Sequence, residues 1–61
     1  MTVDEAKELK NGQTVYDTYF NRRGEVFGKD EDGFKVRYEG GDADEDILFS
    51  EPDNVADFEK I

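Results

Sequence analysis

At 61 residues the chain has room for one small domain with a single core, and a domain of that size buries only about 60% of the surface its unfolded chain exposes. It contains no Cys and no His, which removes disulfides and the usual structural-metal ligands as staples, along with the side chains that most often shuttle protons or attack carbonyls near neutrality. Seventeen acids against eight bases give a net charge of −9, and residues 38–61 hold nine of those acids against Lys60 alone; nonspecific nucleic-acid binding needs cations that displace counterions from phosphate, so nucleic acid is not an expected partner.

The N-terminal stretch MTVDEAKELK lacks the basic and apolar regions of a signal peptide, and no apolar run approaches the roughly 18 residues of a membrane span. A soluble, cytoplasmic monomer without membrane contact is the expectation. Thr2 followed by Glu5 has capping-box spacing, Val3, Ala6 and Leu9 share a helical face, and Asn11-Gly12 supplies a stop. These signals predict a short helix over residues 3–10.

From Gln13 the period changes. In QTVYDTYF, Val15 and Tyr19 fall on one face and Tyr16, Thr18 and Phe20 on the other, with β-branched and aromatic residues dominating, which predicts a strand ended by NRRG. GEVFGK sets Gly24, Val26 and Gly28 against Glu25, Phe27 and Lys29, and glycines inside a strand suit a sharp bend or the close approach of another backbone. Asp32-Gly33 then signals a hairpin. FKVRYE alternates Phe34, Val36 and Tyr38 inward with Lys35, Arg37 and Glu39 outward, and Gly40-Gly41 ends it. In DEDILFS, Ile47 and Phe49 share a face opposite Asp46, Leu48 and Ser50. Ser50 with Asp53 repeats the capping spacing, Pro52 suits a first turn, and Val55, Phe58 and Ile61 lie three apart, which predicts a closing helix.

The expected fold class is therefore mainly β, a single domain over residues 1–61 with four to five antiparallel strands and short helices at both ends. Eight aromatics need an interior, and curling the strands into a small closed barrel provides one. The terminal helices would cap that barrel or cover Tyr16, Phe27 and Leu48.

With the strands placed, the segment Asn11 to Glu51 resembles the Tudor-type branch of the SH3-like small barrels. The resemblance rests on Gly12 before the first strand, Gly24 with Val26 in the second, Tyr38-Glu39-Gly40 closing the third, and Glu45-Asp46 leading to Phe49 in the fourth. Tudor domains that read methylated lysine or arginine use an aromatic cage, and the resemblance puts Tyr19 and Tyr38 at cage positions. Arg22, Gly41 and Ala43 depart from the pattern, and Arg22 would repel a cationic ligand. Tyr19 and Tyr38 are accordingly read as core or rim aromatics.

Asp42, Asp44 and Asp46 have the spacing that opens a calcium loop, but Ile47 stands where that loop requires Gly and Asp53 where it wants Glu, so no metal and no cofactor are expected. Arg22, Arg23, Lys35 and Arg37 are read as cross-strand partners of Glu25 and Glu39. Ser50 is the only serine, so catalysis is not expected. The functional expectation is a non-enzymatic interaction module whose groove near Tyr19, Phe20 and Tyr38, flanked by Asp42 and Asp44, grips a basic protein partner. The competing expectation is charge mimicry of a nucleic-acid backbone, as in small virus-encoded inhibitors.

Overall fold

The computed structural model describes residues 1–41 and 43–61. Along the chain run α1 (Val3–Lys7), β1 (Thr14–Asp17), β2 (Arg22–Phe27), β3 (Gly33–Tyr38), β4 (Asp44–Leu48), α2 (Pro52–Ala56) and β5 (Phe58–Lys60). All ladders are antiparallel, and the strands form one sheet in the order β4-β3-β2-β1-β5. No helix among the described residues is long and apolar enough to cross a membrane.

The mainly β architecture agrees with the sequence reading, and the closed barrel is corrected. β4 and β5 are the two edges of the sheet and share no ladder. α2 packs against both edge strands and α1 packs against α2, so helix covers the gap that strand pairing leaves open.

α1 begins as its sequence dictates. Thr2 Oγ1 accepts from the Glu5 amide at 3.2 Å, and Glu5 Oε1 accepts from the Thr2 amide at 2.9 Å. Donation from the Thr2 amide first, and from the Thr2 hydroxyl second, holds the Glu5 carboxyl below its ordinary value. The helix stops at Lys7, before the expected Lys10, and Leu9 turns into the core as its amide bonds back to the Ala6 carbonyl at 3.1 Å.

The closing segment departs further from expectation. α2 is capped by Glu51 without a side-chain bond, so Ser50 is not its cap, and Pro52 opens the first turn. Phe58 belongs to β5 and not to the helix, while Ile61 is exposed. The three-residue spacing of Val55, Phe58 and Ile61 is compatible with a helix. The free edge of β1, however, offers the backbone of residues 58–60 a ladder, in the register Val15 to Lys60, Tyr16 to Glu59 and Asp17 to Phe58.

The core is chiefly aliphatic: Ala6, Leu9, Val15, Val26, Val36, Ile47 and Val55, joined by the rings of Phe34, Tyr38 and Phe58. Phe34 meets Phe58 edge to face at 5.9 Å. Burying each of the larger side chains contributes about 1.5–3 kcal/mol relative to exposure. The remaining aromatics lie outside this cluster. Phe49 packs on its flank, Tyr16 and Phe27 are half-buried, and Tyr19 and Phe20 are exposed. The helices leave the outer face of the sheet uncovered, where the Arg37 guanidinium lies over the Phe27 ring at 4.5 Å and Leu48 faces solvent.

Candidate functional site

The site is built from the end of β1. Val15 is buried, and strand alternation turns Asp17 to the same side, where it is only 2% exposed. A carboxylate there needs hydrogen bonds. Its Oδ1 accepts the backbone amides of Tyr19 at 2.8 Å and Phe20 at 3.1 Å, folding residues 18–21 into a tight loop, and its Oδ2 accepts the Tyr38 hydroxyl at 2.6 Å. Asn21 completes the reversal at φ 55°, a left-handed conformation that Asn tolerates better than most residues. Thr18 fastens the same loop to the α2–β5 junction: its amide and its hydroxyl both donate to the Asp57 carbonyl, at 2.8 and 2.7 Å.

With its backbone tied from below, the loop holds its rings outward. Tyr19 is 72% exposed and Phe20 53%, and they meet edge to face with centroids 4.8 Å apart. Tyr38 is the scaffold beneath them. Its ring is in the core, and its hydroxyl lies between Asp17 Oδ2 and Glu45 Oε2, the latter at 2.9 Å. Burial and then those two carboxylates, Asp17 first, push its ionisation well above the usual tyrosine range.

Because its raised pKa means that the fold favours the neutral phenol, Tyr38 supports stability fully below the ordinary tyrosine value near pH 10. That support is lost as rising pH ionises the unfolded chain. Urea unfolding at a series of pH values checks this: the advantage of the native protein over Tyr38→Phe is constant near neutrality and shrinks above pH ~10.

The face of the Tyr38 ring is already taken. The Arg22 guanidinium sits over it, 4.6 Å from the centroid, and a Cβ at Gly41 would crowd only the far end of that flexible side chain. Arg22 stands opposite Asp17 in the β1–β2 register but is in no salt bridge among the described residues, and its place over the Tyr38 ring leaves no open cage there.

Two hollows flank Phe20 and Glu45. One, of about 330 Å³, has Ile47 and Phe58 among its lining, with Tyr19, Phe20, Glu45 and Asp57 around them. The other, of about 230 Å³, is lined by Phe20, Arg22, Tyr38, Ala43, Asp44 and Glu45. A larger concavity of about 530 Å³ lies elsewhere, among Lys7, Lys29, Asp30, Glu31 and Phe49. Its ammonium groups have other contacts, Lys29 Nζ donating to the Lys7 carbonyl and Lys7 lying over the Phe49 ring at 5.9 Å.

Of the residues singled out from sequence, Tyr19 and Phe20 come together at the surface, Tyr38 underlies them, and Asp44 lines the second hollow. Asp42 lies outside the described residues. Asp44 is the partner of Arg37, at 3.8 Å, the one ion pair among the described residues. Glu25 stands opposite Arg37 in the β2–β3 register without pairing within reach of a salt bridge. No group of three acids among the described residues converges as a metal site. Sequence reading misses Asp17, Glu45 and Asp57; the signal for Asp17 is a charged residue two positions after the inward Val15, immediately before a turn. No family model, curated protein or solved structure matches the chain.

Proposed function

We propose that the chain is a non-catalytic, SH3-like interaction module that grips a segment of a basic protein through the β1–β2 loop. For the SH3-like assignment, the support is a meander of four strands whose fifth returns, after one short helix, to pair with the first. The observation that carries the functional reading is the Tyr19–Phe20 pair, held in solvent by a buried carboxylate and surrounded by Glu45, Asp57 and Asp44. Exposed rings on a backbone-anchored loop lose little freedom when a partner covers them, and aromatic anchors of that kind carry most of the energy of many interfaces. The surrounding charge steers a cationic partner and weakens with salt.

The methyl-reader form of the family resemblance lacks support, because Arg22 covers the Tyr38 face. Mimicry of a nucleic-acid backbone needs an unbroken row of carboxylates. Here the β3–β4 register sets Arg37 opposite Asp44 and Lys35 opposite Asp46, and Glu45 turns to Tyr38.

Affinity capture from the native host, comparing the wild-type chain with Tyr19→Ala/Phe20→Ala, tests the proposal. Both rings are exposed, so the variant is expected to fold, and capture of the basic partner is expected to fall by on the order of 2 kcal/mol or more. Equal capture by the folded variant would remove the loop from the interface.

A further inference from the structure

Resting on that binding reading, we infer that the partner's cation is an unmodified lysine or arginine side chain, and that it enters the hollow between the β1–β2 loop, β4 and α2. The face of Tyr38 is not its seat.

The two hollows beside Phe20 differ in their charge. On the Tyr38 side, Arg22 already lies 4.6 Å over the ring, and Asp44 is engaged by Arg37. A second cation entering there meets like charge at close range and finds the ring face occupied. On the other side no lysine or arginine lines the hollow. Its lining includes Glu45, Asp57 and the buried Asp17, none of which is in a salt bridge among the described residues, although Glu45 also borders the Tyr38 side and accepts the Tyr38 hydroxyl.

The lining of this hollow of about 330 Å³ matches one kind of side chain. The exposed rings of Tyr19 and Phe20 form its apolar wall, the buried side chains of Ile47 and Phe58 close its floor, and Glu45 and Asp57 complete the lining. Lysine and arginine lay their methylene stems along apolar surface while keeping the charged head among polar groups. A purely apolar side chain would leave the carboxylates desolvated without compensation, and an acidic one would be repelled. The hydrogen bonds from Thr18 to the Asp57 carbonyl hold the two walls, loop and α2–β5 junction, at fixed separation, so the hollow is present before the ligand arrives.

Titration of the isotope-labelled chain at low salt tests the placement. The probe is a capped pentapeptide with one central arginine among alanines, beside its counterpart with glutamine at the centre. The arginine peptide is expected to shift the amides of Phe20, Ile47, Asn54 and Asp57 while the glutamine peptide leaves them in place. Asp57→Asn, which keeps the backbone carbonyl that Thr18 uses, is expected to weaken the arginine peptide about two- to fivefold, the range of one exposed charge pair. Shifts centred on Arg22, Tyr38 and Ala43, with Asp57 silent, would overturn the placement and leave the interaction-module reading standing. A silent titration would also overturn it, and the capture experiment with the Tyr19/Phe20 variant then decides separately whether the loop binds a partner at all.

Discussion

Asp17→Ala is expected to lower stability by about 3 kcal/mol, because it strips a buried acceptor from the Tyr38 hydroxyl and from two loop amides at once. Hydrogen bonds to an ionised group contribute about 1.5–3 kcal/mol each when well made, but the three share one side chain and their losses do not add. A protein of this length has roughly 3–9 kcal/mol in total, so the substitution removes a large part of it. Asp17→Asn is the informative companion. Its amide oxygen can still accept from Tyr19 and Phe20, and its NH₂ faces a phenol oxygen that is able to accept, so a loss of about 1 kcal/mol is expected. Urea unfolding followed by circular dichroism measures both. A cost for Asp17→Ala within about 0.5 kcal/mol of zero, the range of an ordinary surface substitution, would show that the carboxylate does not tie the loop.

Gly33→Ala is expected to cost about 3 kcal/mol or to prevent folding. A Cβ at Gly33 would lie 2.0 Å from the Ile47 carbonyl oxygen and 3.1 Å from Leu48 Cα, so the atoms that must yield are backbone, and they belong to the neighbouring strand. Overpacking against side chains costs about 1–3 kcal/mol because rotamers can shift; here β4 itself has to move away from β3. The comparison is Gly12→Ala, where a Cβ meets nothing within 4 Å but φ is +93°. Its cost is conformational only, about 1–2 kcal/mol. Thermal unfolding of the two variants checks the order, and a Gly33→Ala chain as stable as Gly12→Ala would mean that β4 does not press on β3 at this point.

Gly33 also shows where sequence reading finds the right residue for the wrong cause. Asp32-Gly33 reads as a tight hairpin in which glycine supplies a positive φ, yet the positive φ in this connection belongs to Gly28, at 57°. Asp30 organises the turn by accepting the amides of Asp32 and Gly33, and Gly33 is already strand, small because β4 passes close to it. Local propensity cannot tell a turn glycine from a packing glycine, since the second depends on a strand eleven or more residues away.

The inward face of β3 is legible because apolar residues at every second position, Phe34, Val36 and Tyr38, fit a half-buried strand and little else, and all three are buried, as are Val26 of β2 and Ile47 of β4. The first strand is overextended by the same reasoning, because Tyr19 and Phe20 are strand formers by type. Asp17 overrides that preference by capturing their amides, and a side-chain bond to the backbone two and three residues on is a competition that composition does not reveal. β5 is hidden for a similar reason. Three residues carry too little pattern, and what makes them a strand is the unfilled edge of β1.

The candidate site is legible in its surface and not in its foundation. Tyr19, Phe20 and Asp44 can be placed near one another from the order of strands, whereas Asp57 joins them only through the return of the chain after α2, and the bond of Glu45 to the Tyr38 hydroxyl shows only in the packed structure. Arg22 stands out in the sequence as a departure from an aromatic cage; its contact with the Tyr38 ring shows only in the packed structure.

Relaxation of ring-proton signals by a soluble paramagnetic agent, read together with through-space contacts in one NMR data set, addresses the central claim: Tyr38 is a buried support and Tyr19 with Phe20 is the presented surface. Strong broadening at Tyr19 and Phe20, with Tyr38 protected and in contact with the Arg22 side chain, is the expected result. Tyr38 broadened as strongly as Tyr19, with no contact to Arg22, would contradict it.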